Sequence, residues 1–235
     1  MLKVLAEDRG FVAIDKPAGR IVVPGRGGAA GELALREELE RQLGRALFVV
    51  HRLDRGTSGV LLFATDAAAH RALSTAFEHH RSVKRYWALV RGSLFGAGAI
   101  DDPLVPVRAG QMRVATPGEV GAKASRTAWR ALERVGPFTA VEFRPETGRL
   151  HQIRAHALAA GHPLVVDPAY GGGVRLSFPG TAVVLERTPL HAASLKFPHP
   201  LDAGTVRVES PLPDDLAAAM GELRKGGPFT LSQSV

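Results

Sequence analysis

The sequence predicts an α+β protein built on a mixed, largely antiparallel central sheet with flanking helices and loops. Apolar runs of strand length outnumber helical patterns along the chain. The helical patterns interrupt them irregularly, without the βαβα alternation of a parallel sheet. The 235 residues are 45% hydrophobic and 23% charged, a globular balance in a chain long enough for a sizeable core. No repeat and no shift of composition marks a linker. Residues 1–235 are therefore read as a single domain with a loose tail over about 225–235.

Phe11-Val12-Ala13-Ile14 reads as a short buried strand, broken by the turn residues Asp15-Lys16-Pro17-Ala18-Gly19. Ile21-Val22-Val23 predicts a second strand. Residues 25–31 form a glycine-rich loop that lacks the spacing of a phosphate loop. Leu35, Leu39 and Leu43 recur every four residues, predicting an amphipathic helix over 32–43 that Gly44 ends. The apolar runs 47–50 and 60–64 are strands. Asp66 is placed to cap a helix reaching about His79, with Leu73, Ala76 and Phe77 on its buried face. Residues 86–90 read as a strand and 99–116 as loops with short strands. Residues 125–131 and 138–143 read as a strand pair around Gly136-Pro137. A helix over 150–160 is stopped by Gly161. Short strands follow at 183–185, 195–197 and 205–208, and Pro213-Asp214-Asp215 opens a last helix.

Composition narrows the function classes. Cysteine is absent, which excludes disulfides, a thiolate nucleophile and Cys-ligated zinc. The start of the chain lacks the apolar core of a signal peptide, and no run of about 20 apolar residues is present. A soluble cytoplasmic protein is expected. The formal net charge is +7 and the pI about 10.3, a field that attracts polyanions. Of the 30 basic residues 24 are Arg, which forks onto phosphate and stacks on bases as Lys does not. A GC-rich genome accounts for the same bias, so charge alone leaves the partner open.

Three segments carry candidate chemistry. His51-Arg52-Leu53-Asp54-Arg55-Gly56-Thr57-Ser58-Gly59 lies between two apolar strands, where reactive side chains are commonly placed. Cations on both sides favour a carboxylate at Asp54; on residue types alone, a turn aspartate bonded to backbone amides fits at least as well. In Gly148-Arg149-Leu150-His151-Gln152-Ile153-Arg154-Ala155-His156, the histidines are five apart and do not match a helical zinc pair. No metal is expected. Arg154 sits early in a helix that shows Ile153, Ala157 and Ala160 to a core. It needs an anionic partner, for which Asp54 is a candidate, or else carbonyls or water. Lys84-Arg85-Tyr86-Trp87 sets two aromatics after two cations, either to hold an unstacked base or simply as core. A fourth stretch, 161–171, reads as a helix stop, a strand and a turn, with Asp167 structural or a second carboxylate.

Together these segments resemble the RluA-type RNA pseudouridine synthases. His51-Arg52-Leu53-Asp54 with Thr57-Ser58-Gly59 is similar to that family's active-site motif, and Asp15-Lys16-Pro17-Ala18-Gly19 to its N-terminal signature. Lys84-x-Tyr86, the segment 148–156, Gly161-His162-Pro163 through Asp167-x-x-Tyr170-Gly171, and Leu190-His191-Ala192 through Phe197-x-His199-Pro200 follow in the family's order. The resemblance runs from about Leu5 to Pro211.

The resemblance implies the pseudouridine synthase fold, with a cleft across the sheet. It also implies isomerisation of a specific uridine in ribosomal or transfer RNA, with base flipping. Asp54 is then the nucleophile, attacking either C1′ of the ribose or C6 of the uracil. Tyr86 lies against the base and helps remove the C5 proton, and Arg154 pairs with Asp54. Arg52 fills the space of the extruded nucleotide. Arg55, Lys84, Arg149, His151 and Gln152 are expected to contact substrate RNA. No cofactor, membrane or DNA partner is expected, and the protein is expected to be a monomer. Val166 departs from the family's usual Gly. The S4 RNA-binding domain of many relatives is not seen, so RNA selection falls to the Arg-rich surface and the 25–31 loop. A non-catalytic RNA-binding protein and a metal-dependent hydrolase using some of the nine histidines are the competing readings.

Overall fold

The computed structural model describes residues 1–24, 31–107 and 110–233. In chain order the elements are β1 (Val4–Asp8), β2 (Phe11–Lys16), α1 (Leu35–Leu43), β3 (Phe48–Val49), β4 (Ser58–Ala64), α2 (Ala67–Glu78), β5 (Val83–Arg91), β6 (Ala97–Ile100), β7 (Leu104–Pro106), β8 (Met112–Val114), β9 (Thr127–Val135), β10 (Phe138–Pro145), α3 (Gln152–Ala159), β11 (Arg175–Ser177), β12 (Val184–Leu185), β13 (Leu190–Pro198), β14 (Thr205–Glu209), α4 (Asp214–Arg224) and β15 (Thr230–Ser232). This is the predicted α+β class, with a mixed and mostly antiparallel sheet. Read from its sequence as one domain, the chain traces two compact units, Met1–Lys84 with Ala192–Pro211, and Arg85–His191 with Leu212–Val235.

In the first unit, β2 pairs antiparallel with β1 and with β4, in register from Phe11–Ala64 to Lys16–Gly59. The order is β1-β2-β4-β13, with β3 on β4 and β14 on β13. Strand β4 is buried at every position, so it reads as a continuous apolar run without alternation. Helix α2 begins where the Asp66 carboxylate accepts the Ala69 N–H at 2.8 Å, a cap worth about 1 kcal/mol. Its Ala69 and Leu73 pack on Phe11, Leu62 and Phe197. The expected strand at Ile21-Val22-Val23 is not formed. The Ile21 and Val22 carbonyls instead accept the N–H groups of Leu35 and Arg36 at 2.9 and 3.1 Å. They satisfy first-turn donors of α1, whose N-cap Ala34 has no side chain to do so. The helix accordingly starts at Leu35, three residues later than predicted. Residues 25–30 of the glycine-rich loop lie outside the described residues.

In the second unit the strand order is β5-β10-β9-β6, all antiparallel. The predicted pair around Gly136-Pro137 is the β9–β10 hairpin, with Val135 opposite Phe138. Alternation along β5 sends Trp87 and Leu89 to one face, against a cluster with Leu216, Met220 and Leu223 of α4. Tyr86, Ala88 and Val90 go to the other, with Ile153 and Ala157 of α3. The tail beyond Lys225, expected to be loose, contributes β15, which pairs with β11 and packs Leu231 against the α4 cluster. Its short apolar stretch offers little periodicity to read. Val166, at the position of the family's usual Gly, buries its side chain in that same cluster.

Candidate active site

The Asp54 loop runs from His51 to Thr57 between β3 and β4. Each end is pinned by a buried polar group. His51 stacks on Phe77, with ring centroids 4.9 Å apart, and its Nε2 accepts the Leu62 N–H at 3.1 Å. Burial, and then the Lys84 charge, pull the His51 imidazole down to about 3, so it stays neutral and keeps accepting that bond. Lys84 is itself drawn down to about 8 by burial. The other end is held by Lys16. Its side chain is fully buried, and its ammonium donates to the carbonyls of Thr57 at 2.8 Å, Pro17 at 3.0 Å and Arg55 at 3.1 Å. The Thr57 N–H in turn donates to the Asp54 carbonyl at 3.1 Å. Gly59 follows with φ +109°, and a Cβ there would lie 2.3 Å from the Ala192 carbonyl oxygen. Only glycine fits that approach.

Lys16 was read from the sequence as part of a turn. It ends β2 just beyond the apolar run Phe11–Ile14 and Asp15, and three carbonyls stand around its charge. We predict that Lys16→Met loses about 3 kcal/mol of stability in urea unfolding, because three buried acceptors then lack a donor.

Asp54 itself is half-buried, and Arg52 and Arg55 are exposed. Arg55 pairs with Glu32 at 3.0 Å.

In the second unit Arg154 points from the first turn of α3. Its Nε and Nη2 donate to the Asp167 carboxylate at 2.7 and 2.8 Å, a two-pronged pair with the side chains 12% and 1% exposed. The guanidinium also lies 4.6 Å from the Tyr170 ring centroid. Tyr170 is held by the Met112 N–H and by His151 Nδ1, at 2.8 and 2.9 Å from its hydroxyl. Asp167 is held by its loop: its N–H donates to the Gly173 carbonyl, and its carbonyl accepts from Tyr170 and Gly172. A Cβ at Gly172 would lie 2.3 Å from the Leu164 carbonyl oxygen. The segment 161–171 is thus the support of Arg154, an anionic partner that sequence reading did not foresee.

Tyr86 lies on the face of β5 that packs with α3, and Trp87 on the opposite face, so the two adjacent aromatics form no common platform. Gln152, expected to contact RNA, has its side-chain amide engaged within the fold. Its Oε1 accepts from Thr147 and the Arg149 N–H, and its Nε2 donates to the Arg126 carbonyl and to Thr127. At 4% exposure the amide has no capacity left. His151 has φ +50° and starts α3 one residue ahead of Gln152, which is why the helix begins later than predicted. His156 bonds Thr127 and the Asp102 carbonyl, both at 2.9 Å. Arg149 is exposed, with Nε on the Ala124 carbonyl at 3.2 Å. Among the described residues, no three His, Asp or Glu gather as a metal site, and no helix is long and apolar enough to cross a membrane.

Residues 10–159 match the family model described as RNA pseudouridylate synthase. The chain is 40% identical over 230 residues to "Ribosomal large subunit pseudouridine synthase D" of Nitrosomonas europaea, covering 95% of this chain and 65% of that protein. It is 38% identical over 231 residues to "Ribosomal large subunit pseudouridine synthase C" of Escherichia coli, covering 94% and 70%. The chain therefore spans about two thirds of the length of these relatives. Its fold is similar to the structure of "Human RNA Pseudouridylate Synthase Domain Containing 4", with TM-score 0.72 and 22% identity over 98% of this chain and 95% of that one. "Human RNA Pseudouridylate Synthase Domain Containing 1" gives 0.70 and 26%, covering 95% of each chain. The chain belongs to the RNA pseudouridylate synthase family.

Proposed function

We propose that the protein isomerises a uridine of large-subunit ribosomal RNA to pseudouridine, with Asp54 as nucleophile. The observation that carries this reading is the 40% identity, over 95% of the chain, to a relative named for that activity. Asp54 forms a covalent adduct with the flipped nucleotide, and the bond from N1 to C1′ breaks. The uracil turns, C5 bonds to C1′, the bond to Asp54 breaks and frees the carboxylate, and the C5 proton is lost as N1 gains one. One bond replaces another within the same nucleoside, so the balance needs neither donor nor oxidant.

Tyr86 is assigned to the base and its C5 proton. Arg154, oriented by Asp167 and Tyr170, is assigned to the negative charge of the reacting centre. Exposed Arg52 takes the place of the extruded nucleotide, and Arg55, Lys84, Arg149 and His151 serve the RNA around it. Extrusion costs a few kcal/mol, which phosphate contacts by an Arg-rich surface offset.

The test is an unmodified transcript of large-subunit ribosomal RNA incubated with the purified protein, followed by mass spectrometry and carbodiimide mapping. We expect stoichiometric pseudouridine at one or a few positions. No product on this RNA, with product on transfer RNA instead, would overturn the substrate; no product on either would overturn the activity.

A further inference from the structure

A groove of about 360 Å³ lies in the first unit, and no residue of the Asp54 loop lines it. One wall is α2, where Arg71 and Thr75 stand one turn apart beside Ala72 and Ala76. The other wall is Pro198-His199-Pro200 at the end of β13, and Arg81 closes one end. The two alanines open the groove, since a longer side chain on that row of the helix would fill it.

Arg81 reaches the groove because the chain reverses at the end of α2. His80 takes φ +55°, and the Arg81 N–H returns to the Ala76 carbonyl at 2.8 Å. Glycine usually makes this reversal. With His80 there, the backbone accepts strain and the reversal carries His79-His80-Arg81, all exposed, beside the groove.

Its charge is one-sided. No acidic residue lines it. Arg71 and Arg81 are exposed, and neither forms an ion pair among the described residues. Most described arginines do have a carboxylate partner, so two without one in the same groove is a local departure. His199 is held rigid: its Nδ1 accepts the Asp202 and Leu201 N–H groups at 2.9 and 3.3 Å, and its ring meets Phe11 edge-on. Its hydrogen therefore sits on Nε2, which makes no hydrogen bond among the described residues; the Asp8 carboxylate is 3.6 Å away. No Phe, Tyr or Trp lines the groove, so it offers no surface for stacking a base.

We propose that this groove binds a backbone phosphate of the substrate RNA, with Arg71 and Arg81 as its ligands and the Thr75 hydroxyl as a further donor. Guanidinium groups fork onto phosphate oxygens, and a contact of this kind sets position without reading sequence. It is a second anchor, distinct from the Asp54 loop, and it rests on the reading of the protein as an RNA-modifying enzyme.

The test measures binding of the full-length chain to the unmodified large-subunit transcript over a salt series, with pseudouridine formation followed in parallel. For Arg71→Ala/Arg81→Ala we expect roughly tenfold weaker binding at 0.1 M salt. The slope of log K against log salt should become shallower by about 1, the loss of one neutralised phosphate. The rate at saturating RNA should match the wild type. Arg71→Lys/Arg81→Lys should recover most of the affinity, and Arg41→Ala, on the exposed face of α1, should leave the slope unchanged. An unchanged affinity and slope in the double alanine variant, while the wild type binds and modifies the transcript, overturns the groove and leaves the function standing. Wild-type binding without modification overturns the function, and the slope still decides the groove. Failure of the wild type to bind overturns both.

Discussion

Asp54→Asn is expected to abolish pseudouridine formation, by at least about four orders of magnitude in the single-turnover rate. The amide is close to the carboxylate in size but does not act as a nucleophile. The loop should survive, because the Lys16 ammonium still grips the Arg55 and Thr57 carbonyls, and the Asp54 backbone carbonyl keeps the Thr57 N–H. RNA affinity should stay within a few-fold of the wild type. A variant that kept several per cent of the activity would remove Asp54 from the chemistry. Equal binding by variant and wild type with no product from either would favour a protein that only binds RNA.

Asp167→Ala is the second large effect. The Asp167 side chain is 1% exposed and accepts two hydrogen bonds from Arg154. Truncation takes the Asp167 counter-charge from a largely buried guanidinium. Breaking such a pair costs about 3–5 kcal/mol, which urea unfolding would show directly. Asp167→Asn should lose less stability, since the amide retains one acceptor. If Arg154 acts on the reacting centre, both variants should also slow turnover at saturating RNA, measured where they remain folded. A stability loss with an unchanged rate would make the pair purely structural.

Much of the fold was legible because its signals are local. Asp66 announced α2, and the apolar runs on either side of Gly136-Pro137 announced the β9–β10 hairpin. Two of the misreadings share one cause, groups whose partners are distant in sequence. Ile21-Val22-Val23 looks like a strand until its carbonyls meet the bare first turn of α1. Lys16 looks like a turn residue until the carbonyls of Arg55 and Thr57, some forty positions on, are found around it. The available clue was its place at the end of a strand with no polar alternation, where a lysine must find acceptors or stay out. In Lys84-Arg85-Tyr86-Trp87 the reading of a paired aromatic platform overlooked the period of a strand, which sends adjacent side chains to opposite faces. Gln152 was placed among the RNA contacts through the resemblance alone, and the four partners of its amide all lie close by within the fold.

The way Lys16 is held separates two kinds of electrostatics in one molecule. Its charge is sealed among carbonyls, beyond the reach of dissolved ions, whereas Arg71 and Arg81 stand in solvent, where counterions compete for them. Rising ionic strength thus acts on the grip on polyanions and hardly at all on the geometry of the Asp54 loop. Polyanion binding can therefore be tuned by surface charge without loosening the Asp54 loop.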